Sequence, residues 1–95
     1  MNFASVDAVL DDWAQTHQLH VHKMDRNVEV RSVEQRFGTH DGFQIWIDPP
    51  NADDLMGIHV WDFRKGGRRQ DFLVSMVQLR EYLDITLHIA RSWSS

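Results

Sequence analysis

The sequence predicts an α+β domain: an antiparallel meander sheet of four or five strands, with N-terminal and C-terminal helices packed on one face. Three observations carry this. Apolar residues recur at helical spacing near both ends of the chain, they alternate with polar residues through the middle, and the connections between alternating segments are short. Helical periodicity is 3.6 residues and strand periodicity is 2, so the two patterns can be told apart. Short connections join antiparallel neighbours, because a parallel crossover needs about a dozen residues or more. The order reads α-β-β-β-β-β-α.

The first helix is expected over residues 6–16. Ser5 is placed to cap it, and Asp7 lies in its first turn, where a carboxylate complements the helix dipole. Val6, Val9, Leu10, Trp13 and His17 share one stripe, while Asp11, Asp12 and Gln15 take the solvated side. Residues 19–24 then alternate, Leu19 and Val21 against His20 and His22. Asp25, Arg26 and Asn27 make a turn, and residues 28–35 return with Val28 and Val30 on one face and Glu29 and Arg31 on the other. The alternation slips near Ser32 and Val33, as at a bulge or a strand end.

A stretch of turn formers from Gly38 leads into the third strand, 42–48. Pro49 and Pro50 break it, since proline cannot donate to the ladder. Asn51 is placed to cap one helical turn over 52–56, ended by Gly57. The fourth strand follows at 58–64, Gly66-Gly67 suits a two-residue hairpin, and the fifth strand is 70–74. Ser75 with Gln78 three residues on is a capping box for a helix over 76–93. Leu79, Leu83, Leu87 and Ala90 form its stripe, broadened by Tyr82, Ile85, Ile89 and Trp93.

Bulk properties narrow the classes. The 95 residues suit one domain spanning 1–95, and 42% hydrophobic with 25% charged residues is a globular composition. There is no cysteine, which excludes disulfides, thiolate zinc sites and thiol nucleophiles and suits a reducing cytoplasm. The first five residues carry no basic n-region, and no apolar run approaches the ~20 residues of a membrane span, so neither a signal peptide nor membrane association is expected. A net charge of −4 disfavours a general nucleic-acid binder, whose footprint is usually basic.

The third and fourth strands are apolar on both faces, and this is the main functional signal. Phe43, Ile45, Ile47, Ile58 and Val60 can bury one side against the helices. The other side then collects His20, His22, Glu29, Arg31, Gln44, Trp46, His59 and Trp61, with Phe63 and Asp48 at its margins. Tryptophan and arginine anchor protein interfaces more than other residues do. Expected partner-binding residues are therefore Trp46, Trp61, Phe63, His59, Gln44 and Arg31, with Asp48, Asp53 and Asp54 steering a basic protein. Self-association through this face is the simplest version of such binding.

In a meander, alternate connections emerge at the same end. The turns at 25–27 and 48–57 make one acidic end, and Arg36, His40, Arg64, Lys65, Arg68 and Arg69 gather at the other. Arg36, Arg64, Lys65, Arg68 and Arg69 are the alternative site, for phosphate or nucleic acid, against a plain solvated hairpin tip. His20 and His22, one residue apart on a strand, project to one face and could share a metal with His59 or Asp48 as third ligand, although His-X-His alone is a weak signal. Asp62 and Asp71 could face each other across the last hairpin. His88 reads as a partly buried structural residue. No EF-hand, Walker loop, dinucleotide fingerprint or nucleophile elbow is present. The expectation is a non-enzymatic, cofactor-free module that neutralises or regulates another protein by occlusion, as an immunity protein meets a nuclease toxin.

Overall fold

The computed structural model describes residues 3–64 and 66–93. Helix α1 (Ala4–Thr16) is followed by strands β1 (Val21–Asp25), β2 (Val28–Arg36), β3 (Gly42–Ile47), β4 (Leu55–Asp62) and β5 (Arg69–Ser75). A 3-10 turn (Met76–Gln78) then opens helix α2 (Leu79–Trp93). The strands form one antiparallel sheet in the order β1-β2-β3-β4-β5, which is the expected α+β meander with five strands. Both helices lie on one face: α2 crosses β3, β4 and β5, while α1 packs on β1 and on α2.

Alternation sets the core. Val33, Phe43, Ile45, Ile58 and Val60 are fully buried, and Leu10 of α1 and Leu83 of α2 close over them. Trp13 is buried too, and its indole N–H donates to Asp84 Oδ1 at 2.8 Å, fastening α1 to α2. Burying an aromatic body while pairing its one polar atom avoids the cost of an orphaned donor.

Several local expectations are corrected. Phe3, not Ser5, occupies the N-cap of α1, and among the described residues no side-chain hydrogen bond from the cap is seen. The bulge lies at Val30 and Arg31, which together oppose Lys23 of β1, and β2 runs on past Val33 to Arg36. One extra residue reverses the alternation. Arg31 therefore crosses to the helix side, where Nε and Nη2 bind the two Asp7 oxygens at 2.6 and 3.0 Å and the guanidinium lies 4.4 Å from the Phe3 ring. It is not on the open face.

The segment after Pro49 and Pro50 forms no helical turn. Asn51 Oδ1 instead accepts the backbone N–H groups of Asp53 at 2.9 Å and Leu55 at 3.0 Å. Asp54 takes a left-handed φ of 57°, and β4 starts at Leu55. The β4–β5 connection is wider than a two-residue hairpin, since pairing ends at Trp61 and Arg69. Asp62, buried, accepts the N–H groups of Arg64 at 3.1 Å and Arg68 at 3.2 Å and so holds the loop. The expected capping box forms at Ser75 and Gln78, with Gln78 Oε1 accepting the Ser75 N–H at 3.1 Å. His88 is exposed rather than partly buried.

Candidate binding face

The register places two rows of side chains across the face away from the helices. His22, Ser32, Trp46, His59 and Asp71 are successive partners from β1 to β5. Glu34, Gln44, Trp61 and Arg69 form the next row, from β2 to β5. Trp46 and Trp61 are diagonal neighbours on the two central strands, and their rings stack with centroids 6.5 Å apart and planes at 29°. Arg69 extends over Trp61, its guanidinium carbon 5.9 Å from the ring centroid. Both tryptophans are half-buried, as is Gln44 between its neighbours.

His59 lies beside this pair with each ring nitrogen on a carboxylate. Nε2 is 2.7 Å from Asp48 Oδ2, and Nδ1 is 2.6 Å from Asp71 Oδ1. Only the imidazolium carries two N–H groups, so both contacts are hydrogen bonds only when His59 is charged. Burial lowers the His59 pKa, but Asp48 and Asp71 outweigh it and hold the value above the ordinary one. Asp71 in turn, bonded to His59 and Arg69, stays below the usual carboxylate range. Gly57 makes the room: a Cβ there would stand 2.5 Å from Asp48 Oδ2 and 2.8 Å from His59 Nε2. Trp46, Asp48, His59, Trp61 and Arg69 line a shallow depression of about 300 Å³. A second hollow of about 210 Å³ extends the face from Trp46 and Gln44 toward His22 and Met24.

Of the expected partner-binding residues, Trp46, Trp61, His59 and Gln44 come together and Asp48 joins them through His59. Phe63 lies instead at the basic end, under the Arg36 guanidinium at 4.5 Å. Asp53 and Asp54 are exposed in the loop beyond Asp48, at the opposite end. Asp71 and Gly57 were missed as site residues. A two-residue turn would have paired Asp71 with Asp62; the wider loop moves the partner by three positions to His59. A strand position opposite a histidine on the open face is the signal that could have found Asp71.

Three cations of the basic end face carboxylates. Arg64 is 3.3 Å from Asp41, Arg36 is 3.8 Å from Glu34, and Arg69 is 3.0 Å from Asp71. Among the described residues, Arg68 makes no ion pair, and Lys65 lies outside them. His20, His22 and His59 do not converge. The first two rings touch at 4.8 Å, but His22 and His59 are separated by β2 and β3, about 14 Å at strand spacing. Among the described residues no group of three histidine, aspartate or glutamate side chains could hold a metal ion, and no helix is long and apolar enough to cross a membrane. No protein-family model, curated protein or solved structure matches the chain.

Proposed function

We propose that this chain is a small, non-enzymatic protein-binding module that neutralises or regulates a basic partner protein by covering it with the open sheet face. The observation that carries the reading is the stacked Trp46–Trp61 pair at the centre of a face that neither helix covers. Half-buried aromatic anchors inside a polar rim are the usual anatomy of an interface centre. Asp48, Asp53 and Asp54 would steer a positively charged surface toward it. A catalytic role for His59 is less well supported, because a general base needs a free ring nitrogen and both here meet carboxylates. Phosphate or nucleic-acid binding at the basic end is likewise disfavoured, as Arg36, Arg64 and Arg69 already face carboxylates. The cysteine-free composition fits a cytoplasmic setting.

Affinity capture from the native cell extract tests this. The wild-type chain and a Trp46→Ala/Trp61→Ala variant, shown to be folded by circular dichroism, serve as baits. A stoichiometric protein held by the wild type and lost by the variant is expected. Equal capture by both, or retention of nucleic acid by both, would overturn the reading.

A further inference from the structure

We propose that the depression beside Trp46 and Trp61 receives a cationic side chain, arginine or lysine, from the partner, and that the proton on His59 gates it. This rests on the reading of the open face as a binding surface and adds the chemical class of its occupant and a control over it.

The argument is one of charge and geometry. Four ionisable groups form a connected cluster at the depression: Asp48 from the end of β3, His59 from β4, and Asp71 and Arg69 from β5. The helices lie on the other face, so these are the charged groups that face His59 from the elements packed against it. With His59 protonated, two positive charges balance two negative ones, and every short contact is an attractive hydrogen bond. Loss of the proton changes both facts at once. The cluster acquires one net negative charge, and a neutral imidazole has a single N–H to offer, so one carboxylate oxygen faces a lone pair and is released. Asp71 has Arg69 as a second donor at 3.0 Å, whereas among the described residues the Asp48 carboxylate meets only His59. The released state thus pairs an exposed carboxylate with a tryptophan face, the two features that hold a guanidinium or ammonium by ion pairing and cation–π attraction.

Proton and ligand then compete for the same negative charge. Cation binding favours neutral His59, and protonation of His59 disfavours the cation, by equal factors. The two carboxylates hold the imidazole proton to a higher pH than a free histidine would, which puts the gate above the ordinary histidine range. Gly57 is part of the device, since any side chain there would keep Asp48 and His59 apart.

The probe is an eight-residue peptide of alternating arginine and glycine, followed through the indole ¹H–¹⁵N signals of Trp46 and Trp61 in the full chain. The midpoint of His59 is first located from its imidazole ¹⁵N shifts, and Kd is measured one pH unit below and above it. Wild type should gain roughly three- to fivefold more affinity across that step than His59→Gln, the size of one partly exposed ion pair. His59→Gln, neutral throughout, reports the background from the other histidines and should bind at the lower pH as wild type does at the higher. Equal pH responses in the two proteins would overturn the gate. A peptide that moves neither indole at either pH would overturn the cationic occupant, while partner capture lost with Trp46 and Trp61 would still stand as evidence for the binding face. Gated peptide binding with no tryptophan-dependent partner would do the reverse.

Discussion

Among the described residues Arg31 is the most buried charge, and removing its counter-ion should cost more than any surface ion pair would. Its side chain is 7% exposed, against 26% for Asp7. Two of its donors go to the two Asp7 oxygens, a third to Glu29 at 2.9 Å, and Nη1 to the Val30 carbonyl at 2.7 Å. In Asp7→Ala the guanidinium stays buried with Glu29 as its remaining carboxylate. Stripping a partner from a fully buried charge costs about 3–5 kcal/mol, and one charge-assisted hydrogen bond about 1.5–3 kcal/mol. Because Glu29 remains and Asp7 is partly hydrated, the expected loss is about 2–3 kcal/mol. For a domain of this size that lowers Tm by roughly 10–20 °C. Urea unfolding of wild type, Asp7→Ala, Arg31→Met and the double variant gives the coupling energy directly. Coupling below about 0.5 kcal/mol would place the pair with exposed bridges and refute the claim that the bulge turns Arg31 inward to tie α1 to the sheet. Acid supplies an independent check. Its hydrogen bond to Arg31 holds Asp7 below the usual carboxylate range. Its stabilisation is therefore complete above the unfolded value of about 3.9 and lost as pH falls through the folded one.

Three further outcomes follow from the loops and the clamp. His59 has a raised pKa, so its stabilisation is complete below about 6.5 and lost as pH rises through the folded value; urea midpoints should fall with pH more in wild type than in His59→Gln, by at most about 1 kcal/mol. In Gly57→Ala the new methyl separates Asp48 from His59, so the imidazole midpoint should drop toward about 6.5 by NMR titration. Gly67→Ala would drive a Cβ into the Asp62 carboxylate and to 2.7 Å from the Arg64 carbonyl. A loss of about 1–3 kcal/mol and weaker hydrogen-exchange protection at the Arg64 and Arg68 amides are expected.

What the sequence made legible was what periodicity alone controls. Helices at both ends, five strands in order, and the burial of Ile45, Ile58 and Val60 all follow from spacing of 3.6 or 2. What it hid was what depends on counting residues between strands. The extra residue at Val30 and Arg31 reverses every later position of that strand, so Arg31 was assigned to the wrong side. The β4–β5 loop hid Asp71 in the same way: Gly66-Gly67 looks like a tight turn, but the buried Asp62 carboxylate organises a wider one. A buried side chain that bonds loop amides leaves no periodic trace. Trp46 and Trp61 were found because their parity is set within the strand, where β3 and β4 pair without interruption.

That difference also bears on why the open face, rather than the basic end, suits a partner. Covering a surface costs the desolvation of each polar group on it, and the cost falls when those groups are already paired. Around the tryptophans, His59, Asp48, Asp71 and Arg69 satisfy one another, and a partner cation that takes the place of the His59 proton leaves the buried cluster neutral while two half-exposed indoles supply apolar area. At the basic end the sign of the argument reverses. A phosphate must first detach Arg64 from Asp41 and compete with Glu34 for Arg36, exchanging existing charge contacts for new ones with little net gain. Pre-paired charges thus favour burial beneath a protein and oppose capture of a free anion, and both arrangements occur on the same sheet.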